Sequence, residues 1–316
     1  MANFTWTFDQ PSGTFKNFKL SRKIREASIQ KTVFAQFVDA EPGYGKMSGE
    51  SVSVTRISNI SVPTSSTLVE GQPMSEDTFT LSTQQITVAE NGRAVPFTSF
   101  SMDLAYFDEQ SKVQKKLMQQ MKISMDNAAA TAAKAGQIVA VPDGISSLNV
   151  ATNGTAATAA TVNLNMYHVK QIRDYLFSSL YVEPYEGEDY VGIVSTKAKR
   201  GIVNDPDYID WHKYTDPEAM FNSEIGRIEN IRFVETNNAS ALSQSKGTGS
   251  VLGEAVFFGA DFLTMAVAQD PELRAKIPTD YGRSKGVAWY GIYGFGQIWR
   301  DSGNAGEARS VYVTST

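Results

Sequence analysis

The chain has 316 residues, of which 41% are hydrophobic and 20% are charged, a balance typical of folded proteins and not of disordered ones. Its formal net charge of −5 disfavours a protein that binds nucleic acid by neutralising phosphates. The absence of cysteine excludes disulfides, thiol nucleophiles and cysteine-ligated metal sites, and the length allows one large domain or two.

The N-terminal region changes from an irregular tail to a helical pattern. Residues 1–15 contain no charged segment followed by an apolar core, so no signal peptide is predicted and we expect the protein to stay in a cytoplasm. Ile29, Val33 and Phe37 recur at helical spacing, which predicts an amphipathic helix over residues 21–40. The basic residues at its start fit a solvated helix end as well as a binding patch.

The following region predicts a long hairpin. Ser51–Ile57 and Phe79–Glu90 alternate between β-branched and polar residues, which predicts two strands. About 20 residues rich in Ser, Pro and Gly separate them, which is unusual inside a compact domain. Asn91-Gly92 predicts a tight turn after the second strand. We expect the loop between the strands to protrude from an isolated chain and to lie on a partner.

The longest predicted helix covers residues 108–135. Its apolar stripe consists of Val113, Leu117, Met121, Met125, Ala128 and Ala132. Asp108 is expected to cap the N-terminus and Gly136 to end the helix. About 28 residues at 1.5 Å rise give a rod of roughly 42 Å. The alanines of its second half would let a sheet or another backbone approach closely. The pattern fits an ordinary core helix or a central spine for the whole chain.

The second half of the chain predicts shorter elements. Residues 146–160 have low complexity and predict a flexible connection. A helix is predicted over residues 165–180, with an apolar face of Met166, Val169, Ile172, Leu176 and Leu180. Strands are predicted at 190–195, 231–236 and 255–258, helical segments at 197–204 and 260–268, and a closing pair of strands at 286–299 and 308–314. The apolar run in 287–299 is too short to span a bilayer.

Few residues suggest catalytic or metal chemistry. His168 and His212 have no Cys or second His at metal-ligand spacing, so a structural role is predicted for both. Asp205, Asp207 and Asp210 suggest a calcium loop, but the glycine and glutamate of an EF-hand are missing, which favours a polar surface turn. With no G-x-S-x-G elbow and no Walker sequence, we predict no catalytic, cofactor-binding or metal-binding residue.

Two groups of glycines need an interpretation. Gly247, Gly249 and Gly253 follow a Ser- and Asn-rich loop and have the wrong spacing for a dinucleotide-binding turn. Gly291, Gly294 and Gly296 lie within a predicted aromatic strand. Glycine in such a strand usually marks a bulge or the close approach of another backbone, and we predict one of these here.

The order of these elements resembles the major capsid proteins of tailed bacteriophages, whose fold is named after phage Hong Kong 97. The segments that carry the resemblance are Leu68-Val69-Glu70-Gly71 with Pro73, residues 91–98, 225–236, 256–261 and 280–283, and Ala288-Trp289-Tyr290-Gly291. Each motif is weak by itself, but their order and spacing over residues 20–314 are specific as a set.

The resemblance implies an α+β protein with four parts. These are an N-arm (1–45), an extended E-loop hairpin (46–95), a P-domain with the spine helix (96–165 and 285–316) and an A-domain (166–284). It implies a structural protein, not an enzyme, that self-assembles into pentamers and hexamers of an icosahedral head. The head would enclose double-stranded DNA without sequence-specific binding.

The resemblance also implies a place and partners. We expect a virion capsid assembled in the bacterial host cytoplasm, with no membrane and no cofactor, and with a portal protein and in some heads a decoration protein. Because the chain begins with Met almost at the arm, we expect scaffolding to be a separate protein. Lys46 lies at the hairpin base, so no crosslink is expected. Arg283 and Lys285 are candidates for intersubunit ion pairs or for solvated loop charges.

Three alternatives remain at this point. An encapsulin nanocompartment would share the fold but hold protein cargo and need neither portal nor DNA. An α/β enzyme with a β-rich insertion would need a catalytic pocket, for which the sequence offers no residues. A fibre or tail protein would show repeats, which the sequence does not contain.

Overall fold

We describe the protein from a computed structural model. The residues described are 27–41, 44–60, 62–63, 65–105, 108–212, 226–244, 253–278, 280–300 and 305–314, with backbone alone at 109, 211, 212 and 305. In this part of the chain no helix is long and apolar enough to cross a membrane.

The elements follow one another in a mixed order. The described part of the chain starts with a 3₁₀ helix (Phe34–Phe37), β1 (Asp39–Ala40), β2 (Ser51–Ile57), β3 (Leu81–Thr87), β4 (Ala89–Thr98), α1 (Ser99–Leu104) and α2 (Glu109–Lys134). The middle contains β5 (Ile138–Gly144), β6 (Ser147–Ala151), α3 (Met166–Asp174) with a π-helical continuation (Tyr175–Ser179), β7 (Tyr190–Ser195), α4 (Thr196–Val203) and α5 (Pro206–His212). The last part contains β8 (Arg227–Ile228), β9 (Ile231–Thr236), β10 (Ala255–Phe258), β11 (Thr264–Ala275), β12 (Ser284–Gly296), a 3₁₀ turn (Ala305–Glu307) and β13 (Ser310–Val313).

A seven-stranded sheet forms the centre of the fold, in the order β6-β5-β13-β10-β7-β9-β8. Strand β7 is buried along its whole length because both of its faces are covered. Tyr190 and Val194 face a cluster formed with α3 and α4, while Val191 and Ile193 face the alanines of α2. The alternation of side chains in a strand therefore divides the core into two layers.

Helix α2 confirms the predicted long helix, but its buried face differs from the prediction in the second half. Leu117 is buried as predicted, whereas further along the buried residues are Asp126, Ala129, Ala130 and Ala133. The prediction that Ala128 and Ala132 continue the buried face is therefore wrong, because the buried alanines lie about one position further along the helix. The small side chains let α2 lie close to β7 and β10, as expected.

The two ends of α2 are capped differently from each other. Asp108 accepts a hydrogen bond from the backbone N–H of Ser111, as predicted for the N-cap. At the other end the side chain of Gln297 donates to the carbonyls of Ala132 (3.1 Å) and Ala133 (2.7 Å). Gly136 follows the helix as expected, but the side chain of the residue after β12 supplements the bond from the Ala135 N–H to the carbonyl of Ala132.

A second sheet has the order β1-β11-β12-β4. Here two predictions are wrong. Residues 264–268 belong to strand β11 and not to a helix, because they pair with β12 along its length. Asn91-Gly92 does not form a turn but lies inside β4, opposite Gly291 and Tyr290 of β12. Pairing along a ten-residue strand outweighs the local turn preference of this dipeptide.

Three further predictions need correction. The amphipathic helix over residues 21–40 is wrong for residues 27–40, which form a short 3₁₀ helix and β1 and otherwise run without regular structure. The flexible connection is wrong at its start, where β6 pairs with β5. The closing strands β12 and β13 form, but they belong to different sheets.

The predicted long hairpin is confirmed. Strands β2 and β3 pair with each other in antiparallel register from Ser51 opposite Thr87 to Ile57 opposite Leu81. The described residues of the connecting segment, 58–80, contain no helix or strand. We call this segment the hairpin loop.

Candidate functional site

The base of the hairpin crosses β12 at two glycines. A Cβ atom on Gly294 would lie 2.2 Å from the carbonyl oxygen of Thr87, and one on Gly296 would lie 2.9 Å from the side chain of Ile86. A Cβ on Gly291 would lie 2.9 Å from Pro271, where the register of β11 and β12 shifts. The predicted close approach of another backbone and the predicted bulge are both confirmed.

Two charged side chains fix the hairpin to the rest of the chain. Arg56 is almost fully buried and donates to the side chain of Ser82 (2.7 Å) and to the carbonyl of Ile298 (2.9 Å). Glu307 accepts hydrogen bonds from the hydroxyl of Ser58 (3.2 Å) and the N–H of Asn59 (3.1 Å). The start of the hairpin loop is thus held in place, which the sequence alone did not indicate.

The hairpin loop exposes apolar side chains to solvent. Its exposed apolar residues are Ile60, Val62, Leu68, Val69, Met74 and Phe79, of which Val62 is 92% exposed. The loop also contains Glu70, Glu76 and Asp77 and no Lys or Arg. Exposed apolar surface of this kind is typical of interaction sites, and here it lies on an acidic loop.

A groove of about 430 Å³ lies between β4 and the first half of α2. Its floor is apolar, with Val95, Val113 and Leu117, and its margin carries Lys112 and Lys116. We call it the spine groove. Its apolar floor and positive margin complement the composition of the hairpin loop.

Another exposed surface lies at the end of the second sheet where β4 ends and β12 begins. Phe100, Leu104, Ile277 and Tyr281 are exposed there. The predicted ion-pair candidate Arg283 lies 3.7 Å from Asp280 of the same chain, and both are exposed. Such a pair contributes little stability by itself. Intersubunit pairs through Arg283 and Lys285 remain a prediction.

The middle of α2 holds a buried polar cluster that the sequence analysis missed. Asp126, fully buried, accepts hydrogen bonds from the N–H groups of Val33 (2.8 Å) and Ala35 (3.4 Å) and from the side chain of Asn238 (3.1 Å). The signal in the sequence was a single carboxylate within an otherwise apolar and alanine-rich helix face.

A second polar cluster, partly buried, lies where α2 meets β13. Glu254 accepts from the hydroxyl of Tyr312 (2.6 Å) and the N–H of Ser243 (2.8 Å), and it pairs with Lys134 (3.3 Å). Burial first, and the carboxylate of Glu254 second, raise the pKa of Tyr312 far above its ordinary value. These bonds join the end of α2 to the central sheet.

His168 has the structural role that the sequence predicted. It is fully buried, its Nδ1 accepts from the N–H of Asn165 (3.2 Å), and its Nε2 lies 2.8 Å from the carbonyl of Gly144. Because a carbonyl can only accept, Nε2 carries the proton. Burial lowers the pKa of His168, so the ring is held neutral. Together with Asn165 it forms a capping box for α3.

The three aspartates lie at and within a short helix. Asp205 accepts from the N–H of Met166 (2.9 Å) and of Asp207 (3.0 Å), so it joins the starts of α3 and α5. Asp207 and Asp210 lie on α5, which replaces the predicted surface turn. Among the described residues, no three His, Cys, Asp or Glu side chains are placed to hold a metal ion.

The remaining residues from the sequence analysis need only a brief account. Lys46 is exposed in a turn before β2. The side chain of His212 and residues 247 and 249 lie outside the described part of the chain. Gly253 lies where a Cβ atom would be 2.2 Å from the hydroxyl of Ser195, so it marks close packing.

Comparisons with known proteins add the fold relationship. The sequence matches no protein-family model and has no match among curated proteins. The structure is similar to the acid-stable capsid of Helicobacter pylori bacteriophage KHP30, with a TM-score of 0.71, 11% identity and 98% of each chain covered. It is also similar to the capsid of cyanophage Pam1, with a TM-score of 0.70, 14% identity and coverage of 98% of this chain and 99% of the other.

A third similar structure is the capsid of Ralstonia phage GP4, with a TM-score of 0.64, 14% identity and coverage of 99% of this chain and 97% of the other. All three likenesses extend over nearly the whole length of both chains, and the predicted mixture of helices and sheets agrees with them. The chain therefore has the α+β, Hong Kong 97-type fold of bacteriophage capsid structures.

Proposed function

We propose that the protein is a major capsid protein that self-assembles into pentamers and hexamers of an icosahedral phage head enclosing double-stranded DNA. The observation that carries the proposal is the exposed apolar hairpin loop on a chain whose fold matches capsid structures from end to end. A segment of this kind gains stability only when another surface covers it. The role is structural and not enzymatic.

The proposed parts are those implied by the sequence. Residues 1–45 would form the N-arm, 46–95 the E-loop, 96–165 and 285–316 the P-domain, and 166–284 the A-domain. The hairpin of β2 and β3 with its exposed loop supports the E-loop assignment. The central sheet combines strands from residues 96–165, 166–284 and 285–316, so the proposed P- and A-domains would share a continuous core.

The proposed setting is a virion capsid assembled in the cytoplasm of a bacterial host. Partners would be further copies of this chain, a portal protein, a separate scaffolding protein and, in some heads, a decoration protein. The net charge of −5 suits an inner surface that encloses DNA without binding its phosphates tightly.

Within a capsomer we propose that the hairpin loop of one copy lies in the spine groove of its neighbour. The loop supplies Leu68, Val69 and Met74 with nearby carboxylates. The groove supplies an apolar floor and the positive charges of Lys112 and Lys116. Apolar burial would supply the affinity and the charges would set register and orientation.

The proposal is tested by removing apolar surface from the loop. We expect Leu68→Ser, Val69→Ser and Met74→Ser together to leave the thermal unfolding of the subunit unchanged but to abolish shells and capsomer rings in negative-stain electron microscopy. The matched control, Ser66→Ala, Thr67→Ala and Ser75→Ala together, changes the same loop without removing apolar surface and is expected to assemble like the wild type.

Both the size and the contents of the particles decide the outcome. Closed shells with nuclease-protected DNA from infected cells would support the phage head. Shells that contain protein cargo instead of DNA would favour the encapsulin alternative. A wild-type protein that remains a small, compact particle with and without scaffolding protein would overturn the proposal.

A further inference from the structure

The buried carboxylate of Asp126 takes no part in the surface contacts proposed above. It lies in the middle of α2 with none of its surface exposed, and its partners are the neutral donors Val33, Ala35 and Asn238. Burying a carboxylate is costly unless hydrogen bonds compensate it. We propose that Asp126 is a positioning residue that holds residues 27–40, the N-terminal segment, on α2 as a separately detachable element.

The contact geometry is that of a helix cap supplied by another element. The short 3₁₀ helix Phe34–Phe37 starts after Val33 and has no capping side chain of its own. Its free N–H groups point to one oxygen of Asp126, at 2.8 Å from Val33 and 3.4 Å from Ala35. A carboxylate is a strong acceptor for such groups, so a single side chain of α2 fixes the start of this helix.

The N-terminal segment makes two further kinds of contact, hydrogen bonds and apolar packing. Thr236 donates its hydroxyl to the carbonyl of Lys31, and the N–H of Lys31 donates to the side chain of Asn237. Val33 and Phe34 are buried, and Phe37 and Val38 pack against the same apolar cluster as the alanines of α2. Strand β1 adds only two residues, both exposed, at the edge of β11. The segment therefore packs on the core through side chains but contributes only the edge strand β1 to a sheet, so it can leave without removing a strand from the central sheet.

The same carboxylate also holds the loop after β9. Its second oxygen accepts from Asn238, whose side-chain oxygen in turn accepts from the N–H groups of Ser240 and Ala241. Asn238 donates as well to the side chain of Asn127 (2.8 Å). Docking of the N-terminal segment and order in this loop are thus coupled through one residue, and loss of one would loosen the other.

Asp126→Asn tests this role with almost no change in volume. An amide keeps one acceptor oxygen but places an N–H₂ group against a donor, either Val33 or Asn238. We expect about tenfold or more faster hydrogen exchange at the amides of Val33 and Ala35, and a similar increase in tryptic cleavage after the exposed Lys31. The amides of Val191 and Ile193 in β7 would lose no more protection than the fall in the free energy of unfolding accounts for.

A matched control is Glu254→Gln, which alters a partly buried, hydrogen-bonded carboxylate that does not touch the N-terminal segment. It is expected to lower the melting temperature without a selective increase at Val33 and Ala35. The proposal would be overturned if Asp126→Asn and Glu254→Gln, at the same loss of stability, increased hydrogen exchange at Val33 and Ala35 equally. If Asp126→Asn does not fold, hydrogen exchange is measured on the wild type instead. Exchange at the amides of Val33 and Ala35 that is no faster than exchange at the amides of β7 would show that the segment does not detach separately.

Both readouts are made on the unassembled full-length chain, so their outcome does not depend on whether shells form. A failure of Asp126→Asn to open the segment would leave the assembly proposal intact, and a failure of assembly would leave this one intact.

Discussion

At the scale of single residues, some positions must be glycine because another backbone lies too close for a side chain. Other positions need a polar side chain that hydrogen-bonds a backbone carbonyl distant in sequence. Glycines of β12 lie where the hairpin base crosses the strand, while Arg56 donates to the carbonyl of Ile298 and Gln297 donates to the last carbonyls of α2. The glycines could be interpreted from sequence because glycine has few other reasons to lie in an aromatic strand. The two polar side chains could not, because their partners lie far away in sequence.

The first prediction concerns Gly294. In Gly294→Ala the new Cβ would lie 2.2 Å from the carbonyl oxygen of Thr87, a backbone atom that cannot move without shifting β3. We expect a loss of about 1–3 kcal/mol in the free energy of unfolding, measured by denaturant titration of the unassembled chain.

The control for this substitution is Gly306→Ala. Among the described residues nothing lies within 4 Å of a Cβ atom at Gly306, and its backbone is not in the left-handed region. An alanine there is expected to change the free energy of unfolding by less than about 1 kcal/mol. Equal effects of the two substitutions would contradict the close crossing of β3 over β12.

At the scale of elements, the strands with alternating or continuous β-branched residues were predicted well. Strands β2, β7, β9 and β10 have the predicted bounds, and the apolar face of α3 is buried as predicted. The elements that were predicted wrongly are those whose conformation depends on the strands with which they pair. β11 has a pattern that also fits a helix, and β1 forms only because it adds to the edge of β11.

The second prediction concerns the docking of β1. Partial burial of the carboxyl, and then the nearby carboxylate of Asp261, raise the pKa of Asp39 above its ordinary value of 3.8. An acid with a raised pKa in the folded state favours that state when it is protonated. Docking of β1 is therefore strongest at or below pH 3.8 and weakens as the pH rises through the raised pKa of Asp39.

The measurement compares wild type with Asp39→Asn. Acidification from about pH 7 to about pH 4 is expected to raise the hydrogen-exchange protection of the Glu41 amide, which donates to Met265, more in the wild type than in the variant. At neutral pH the variant is expected to be the better protected of the two. An identical pH dependence in both proteins would contradict the role given to Asp39.

At the scale of the whole molecule, the chain leaves an acidic, apolar hairpin loop and a basic, apolar spine groove on its surface. The two surfaces complement each other in charge as well as in polarity. Complementary charges mainly increase the association rate and select the register, and their effect falls as salt screens them.

The third prediction tests this complementarity. Lys112→Glu with Lys116→Glu, and Glu76→Lys with Asp77→Lys, are each expected to slow assembly at low salt, measured by light scattering. The combination of all four substitutions is expected to restore much of the rate because opposite charges face each other again.

A charge-matched control combines the groove substitutions with Glu188→Lys and Asp207→Lys, which lie on the surface outside the loop. This variant has the same net charge as the fourfold variant and is expected to stay slow. Rescue by the control as well would show that net charge, and not contact between loop and groove, governs assembly.

The sequence by itself determined the long helix, the hairpin with its unsupported loop, four strands with their bounds and the structural role of His168. These depend on local patterns: apolar periodicity, β-branched alternation and a composition that cannot form its own core. Only the tertiary structure decided that residues 264–268 extend, that Asn91-Gly92 continues a strand and that β12 and β13 join different sheets. It also decided that Asp126 is buried. In each case a hydrogen-bonding partner distant in sequence outweighs the local preference, and a single sequence does not show which distant segments meet.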